Sequence, residues 1–282
     1  MNLQLAISTM VFYHENITKL LPLLNTFGIN NIEIRPNDNH FDYQDPKTIE
    51  KIKKEINDNN ISVKSIHMPM NGVDISSPEE YDRVKSVREI EKVIMVALRL
   101  NAKIIVVHPG GKCNSIVERE TRMKKCIDSL SEIVEFSSQW EIKIALENTI
   151  PGRLGDNWFE IQKILDKISS EYLGVCLDTG HFLLNQEENE KGILRLDKEP
   201  IDWKNKLLHI HIHDNNGKTD LHLLPEKGYF PWYQLFNYLK QIQYQGYLIV
   251  EPPEQFQIED YLIKIQHVFK RIEEISSSLI IR

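Results

Sequence analysis

The sequence predicts a single (β/α)8 barrel. Short apolar runs of strand length alternate along the whole chain with stretches patterned for helix. Six of those runs carry a His, Asp or Glu just beyond their C-terminal end: His67, His108, Glu147, Asp178, His211 and Glu251. The chain has 282 residues, a length that suits one such barrel, spanning residues 1–282, better than two domains. In a closed parallel barrel all C-terminal strand ends open on one mouth, where active sites form.

The elements follow in order. A first strand is expected at Gln4–Ser8 and a helix at Ile17–Phe27, where apolar residues recur at i, i+3, i+4 and i+7. A second strand at Asn31–Ile34 leads to a helix at Pro46–Asn57, opened by Asp45 as N-cap and Pro46 as first helical residue. The third strand, Ser62–Ile66, precedes a helix at Pro78–Leu100. There Ser77-Pro78-Glu79-Glu80 reads as an N-cap, a first-turn proline and first-turn acids. Strands at Ile104–Val107 and Lys143–Leu146 flank a helix at Ser115–Gln139. A helix at Trp158–Ile168 leads to the sixth strand, Leu173–Leu177, and the polar stretch Leu183–Pro200 is expected to hold the sixth helix with an irregular end. The last units are Leu207–Ile210, Trp232–Gln241, Tyr247–Val250 and Ile258–Ile275. A doubly wound open sheet is the competing arrangement, but no GxGxxG or phosphate-binding loop opens the first helix.

Composition narrows the class. No run of 18 apolar residues occurs, so no membrane helix is expected, and MNLQLAISTM lacks the basic and apolar regions of a secretory signal. Three scattered cysteines, Cys113, Cys126 and Cys176, fit a reducing, cytoplasmic setting and no cysteine-zinc motif. A net charge of -7 disfavours non-specific nucleic-acid binding.

The chemistry concentrates in three stretches. In Asp178-Thr179-Gly180-His181 an acid ends a strand and an imidazole follows three residues later. In His209-Ile210-His211-Ile212-His213-Asp214 alternation puts the three histidines on one face and Asp214 opposite, unless the strand has ended by then. Asp220-Leu221-His222 adds another acid and imidazole. Imidazoles and carboxylates arriving from separate strands suit Zn²⁺ or Mn²⁺. The bland readings apply elsewhere. His14 and His40 read as loop residues, and His209 as solvated or packed low in the barrel. His213 stands between a supporting role and a polar rim. Glu33 would contact substrate or pair with Arg35 or a lysine. Trp203 and Trp232 read as packing residues.

Six motifs resemble one known group when taken in order: SIHMP at 65–69, VVHPGG at 106–111, ALENT at 145–149, VCLDTGH at 175–181, HIHDNNGKTDLH at 211–222 and VEPPE at 250–254. Together they look like the xylose-isomerase-like TIM barrels, which include sugar isomerases and epimerases, related dehydratases, and endonuclease IV of abasic-site repair. The resemblance implies a metal site on Glu147, Asp178, His211 and Glu251, with Glu147 and Glu251 as the catalytic pair. A sugar enzyme of this kind would bind one divalent ion, often manganese, act on a small carbohydrate or polyol through an enediolate, and use His181 to orient a hydroxyl. It would often be a homo-oligomer. An endonuclease of this kind would bind DNA as a monomer. It would hold up to three zinc ions, the second on His67, His108 and Glu147, the third on His181, Asp220 and His222.

Two departures bear on the choice. Met70 and Asn71 stand where the endonuclease places an apolar DNA wedge, and Asn71 is a poor wedge. Glu226-Lys227-Gly228 replaces the family's GxG, putting substrate contacts from that loop in question. The basic residues of the strand-to-helix loops are scattered: Arg35, Lys112, Arg153, Lys218 and Lys227. The sugar-type reading is therefore the leading one, with abasic-site cleavage as the alternative.

Overall fold

A computed structural model describes residues 3–187 and 190–278. Eight parallel strands close on themselves in sequence order: β1 (Gln4–Ser8), β2 (Asn31–Ile34), β3 (Ser62–His67), β4 (Ile104–Val107), β5 (Lys143–Glu147), β6 (Leu173–Asp178), β7 (Leu207–Ile212) and β8 (Tyr247–Val250). The barrel is sealed by β1 against β8, in register from Gln4↔Tyr247 to Ile7↔Val250. Of the strands expected from sequence, β1, β2, β4 and β8 fall where the apolar runs put them. The other four run one or two residues further. His67, Glu147, Asp178 and His211 are thus strand residues rather than residues just past a strand, and only His108 and Glu251 lie beyond the ladder. Apolar patterning stops at the first polar side chain, whereas backbone pairing continues through it.

The helices are α1 (Ile17–Thr26), α2 (Pro46–Asp58), α3 (Glu80–Leu100), α4 (Ile116–Ser138), α5 (Trp158–Ile168), α6 (Thr179–Leu184), α7 (Trp203–Lys206), α8 (Trp232–Gln241) and α9 (Ile258–Ser278). Asp45 caps α2, accepting from the amides of Lys47 and Thr48. Ser115 and Asn157 cap α4 and α5 in the same way. Two expectations fail. Helix α3 begins at Glu80, so Ser77 is not its N-cap. The Ser77 hydroxyl instead accepts from the Glu79 amide, closing a turn ahead of the helix. The sixth helix does not lie in Leu183–Pro200. It starts at Thr179 with Asp178 as its cap, and the later part of that stretch holds a short 3-10 turn at Leu196–Lys198. Residues 188 and 189 lie outside the described residues.

The apolar core lies between the outer strand faces and the helices. Inside the barrel the packing differs. Val106, Ala145 and Cys176 form a small separate cluster, and Ala6, Ser8 and Ser65 are fully buried. Barrel interiors usually carry bulky branched residues. Here small residues leave room for a buried polar layer, Glu33, Ser65 and His209. A register shift between Ile32 and Glu33 brings Glu33 opposite Ser65, the kind of local re-aiming a bulge provides. Among the described residues, no helix is long and apolar enough to cross a membrane.

Candidate metal centre and mouth pocket

The polar layer is the floor of the site. Ser65 Oγ donates to Glu33 Oε2 at 2.7 Å, and His209 Nε2 lies 2.9 Å from the same oxygen. His209 is therefore neither solvated nor merely packed. Glu33 also reaches His211 Nε2 at 3.1 Å, rather than Arg35 or a lysine. With Nε2 directed at Glu33, Nδ1 of His211 faces up the barrel. It lies 3.2 Å from Glu147 Oε1, 3.9 Å from Asp178 Oδ2 and 3.8 Å from Glu251 Oε2. Asp178 and His211 are in register on adjacent strands. The four residues Glu147, Asp178, His211 and Glu251 thus converge on one point, with all four side chains buried.

Two further groups adjoin it. Glu147 Oε2 is 3.3 Å from His67 Nε2 and 3.0 Å from His108 Nε2. Asp220 Oδ2 is 3.5 Å from His181 Nε2 and 3.4 Å from His222 Nε2. Three of the four imidazoles in these groups are oriented from behind. His67 Nδ1 is 2.8 Å from the carbonyl of Met68, His181 Nδ1 2.8 Å from that of Asn148, and His222 Nδ1 3.0 Å from that of Glu251. A carbonyl oxygen only accepts, so each Nδ1 carries the proton and each Nε2 faces its carboxylate. Metal-binding imidazoles are oriented in this way. His213 Nδ1 and Asp220 Oδ1, 3.9 Å apart, are buried without a hydrogen-bond partner. Buried polar atoms are rarely left so. Donor chemistry, tautomers and orphaned atoms together fit divalent cations.

The electrostatics point the same way. Burial pushes Glu147 up, but the His211 and His108 imidazoles hold it well below the usual carboxylate range. Burial works against a charged His181, yet Asp178, Asp220 and Glu147 raise it to about 10. His222 rises to about 9 against its own burial, chiefly through Asp220. So many buried carboxylates require nearby positive charge, which protons or a cation can supply.

Several supporting residues are not evident from sequence. Arg35 donates to Glu251 Oε1 at 2.6 Å, leaving Oε2 to face His211. Asn148 clamps the end of β6 through both side-chain atoms, accepting from the Asp178 amide at 2.7 Å and donating to its carbonyl at 3.0 Å. Its place beside Glu147 in ALENT was the available signal. His213 is buried, with Nε2 2.9 Å from Asp178 Oδ1, so it supports the centre rather than forming a rim. Gly180 makes room for it: a Cβ there would lie 1.9 Å from His213 Cε1. His40 is fully buried and bonds through Nδ1 to the Glu15 carbonyl at 2.6 Å, so it is not an ordinary loop residue. Trp203 and Trp232 are buried packing residues, as expected. The missing glycine of the GxG position is tolerated. Glu226 takes a left-handed φ of 67°, its carboxylate is held by Arg271 at 2.9 Å, and Gly228 still packs closely on Asn215.

Above the donors lies a cavity of about 130 Å³, lined among others by Arg35, Met70, His108, Glu147, Arg153 and His222.

The family described as the xylose isomerase-like TIM barrel matches residues 21–271. Inosose isomerase of Halalkalibacterium halodurans is 24% identical over 254 residues, covering 87% of this chain and 86% of its own. A probable endonuclease 4 of Carboxydothermus hydrogenoformans is 25% identical over 221 residues, covering 74% of this chain and 76% of its own. The crystal structure of a D-tagatose 3-epimerase-like protein matches with a TM-score of 0.83 at 26% identity, covering 98% of both chains.

Proposed function

Because this chain belongs to the xylose isomerase-like TIM barrel family, we propose that it is a metal-dependent isomerase or epimerase acting on a small carbohydrate or polyol. The observation that carries this reading is the pair of carboxylates at the mouth. Glu147 and Glu251 come from β5 and β8, lie 3.2 and 3.8 Å from the same His211 nitrogen, and line one small cavity. Drug-sized ligands occupy pockets of roughly 300–1,000 Å³. A space of about 130 Å³ suits a smaller, polar guest. The names of the relatives, inosose isomerase and D-tagatose 3-epimerase-like protein, support the same class.

Glu147, Asp178, His211 and Glu251 would hold the principal cation, manganese or zinc. When bound, it supplies Lewis acidity to adjacent substrate oxygens and so acidifies the neighbouring C–H. The chain's own groups do the rest. Glu147 and Glu251 address the substrate carbon from opposite sides. One accepts the proton as the enediolate forms, and return of a proton to the other face inverts the centre. His181, its Nδ1 fixed on Asn148, directs Nε2 toward a substrate hydroxyl. Arg35 keeps Glu251 ionised and in place. His67 and His108 would orient Glu147 or hold a further ion.

The alternative is zinc-dependent cleavage at abasic DNA. The full set of nine donors and the endonuclease 4 relative favour it. The exposed polar Asn71 at the wedge position stands against it.

Two assays separate the readings. Metal-replete protein should turn over a member of a ketose and polyol panel, and Glu147→Gln should lower kcat at least 1,000-fold. The same protein should leave a duplex with one abasic site intact. Cleavage that vanishes in Glu147→Gln would establish the nuclease instead.

A further inference from the structure

The loops after β4 and β5 carry between them a cation pair that the proposed reaction does not use. Lys112 and Arg153 face each other across an isolated antiparallel bridge. The flanking backbone bonds, Cys113 N to Gly152 O at 2.9 Å and Leu154 N to Gly111 O at 3.1 Å, make this a non-hydrogen-bonded pair. At such a pair the two side chains leave the same face and stand closest together. Two like charges there repel, and opposed like charges are ordinarily avoided.

The nearby acids do not relieve the repulsion. Asp156 binds Arg119 and the Gly152 amide, and Glu160 binds Arg119 and the Gly155 amide. Among the described residues neither Lys112 nor Arg153 forms an ion pair. The one side-chain bond of Arg153 is from Nε to the Gly110 carbonyl at 3.5 Å, which leaves the outer guanidinium nitrogens available.

The backbone beneath the pair is held by hydrogen bonds. Arg119 donates to the Arg153 carbonyl at 2.6 Å, and Thr149 ties back to Leu154 and Gly155. Arg153 lines the same cavity as Glu147, His108 and His181. Arg153 follows the strand that ends in Glu147, so its positive charge stands at the rim of the mouth beside the buried carboxylates, with the exposed Lys112 next to it.

We propose that Lys112 and Arg153 form an anion subsite of the mouth and that the carbohydrate substrate carries a phosphoryl group bound there. The guanidinium fork matches phosphate oxygens in pairs, and the adjacent ammonium adds a point charge. An anion seated between them converts the repulsion into attraction, which accounts for the pair. The substrate would span the mouth, its phosphate on Arg153 and its reacting carbon between Glu147 and Glu251. The substrate class rests on the sugar-type reading above, whereas the anion subsite does not.

The test is calorimetric. Metal-replete protein is titrated with a ketohexose and with its terminal phosphate ester, alongside Arg153→Ala and the Lys112→Ala/Arg153→Ala double variant, each matched for metal content and melting temperature. The ester should bind the wild type at least ten-fold more tightly than the free sugar, and the ratio should fall to near one in the double variant. A ratio near one in the wild type, or one that survives in the double variant, overturns the proposal. If neither sugar binds, inorganic phosphate decides. Phosphate binding that the double variant loses supports the subsite and sinks the sugar-type reading. Phosphate binding that is absent, or unchanged by the variants, overturns the subsite itself. Cleavage of the abasic duplex would leave the pair reading a phosphodiester and would overturn the substrate class.

Discussion

At the scale of single residues, the chain uses backbone carbonyls to decide which imidazole nitrogen is free. His40 shows the same device away from the mouth, bonded to Glu15 O and fully buried. Its burial lowers its pKa to about 4, with the carbonyl bonds opposing. The unfolded chain takes up that proton near pH 6.5, and the folded chain does so only near pH 4. His40 therefore stabilises the fold fully above about pH 6.5, and this contribution is lost as pH falls toward about 4. It amounts to at most about 3 kcal/mol. Urea unfolding of His40→Gln across this window should show a flatter pH dependence than the wild type. Equal slopes would show that His40 titrates normally in the folded protein. Six of the nine donors were legible at this scale because each is a chemically distinctive residue ending an apolar run, and His181, Asp220 and His222 because each acid and imidazole stand two or three residues apart. Glu33, His209 and Arg35 were not, because their meaning lies in partners 216 residues away in one case and on opposite strands in the others.

At the scale of elements, the loop from β7 to α8 shows how a site loop keeps its shape. Asp214 is fully buried and accepts from the amides of Asn215 and Phe230, at 2.9 and 3.0 Å, and from Trp232 Nε1 at 2.9 Å. It also pairs by its backbone with Leu223 at 2.7 Å in both directions. These contacts fix the chain on both sides of Asp220 and His222. Asp214→Ala leaves three buried donors unpaired and should cost about 2–4 kcal/mol. Chemical denaturation would measure the loss. A change below 0.5 kcal/mol would mean that the loop is held elsewhere. Strand and helix order was legible because periodicity is local. Helix α6 was misplaced because its cap, Asp178, is also the last residue of a strand. One side chain serves both elements, and a pattern that assigns each residue to one element misses that.

At the scale of the whole molecule, the barrel concentrates carboxylates and imidazoles at one end of its axis. The folded chain alone must neutralise them with protons. A bound divalent cation would do so without them and would add stability through linkage. At ~100 times its Kd it contributes about 2.7 kcal/mol, or roughly 5 °C in melting temperature for a chain of this size. Chelation should lower the melting temperature by that amount, and Mn²⁺ or Zn²⁺ should restore it. An unchanged melting temperature with verified metal loss would remove the cation from the folding account. The closed sheet was legible from eight alternating units. The polar floor was not, because small interior residues such as Ala6, Ala145 and Cys176 look alike whether they pack against one another or make room for Glu33 and His209.

His67 and His108 stand in the first half of the chain, and the other seven donors stand in the second. The second half, β5 to β8, supplies all four donors around His211, whereas the floor beneath them draws Glu33 and Ser65 from β2 and β3, and Arg35, which holds Glu251, follows β2. One half of the ring thus carries the donors of the principal centre, and the other half carries what orients them.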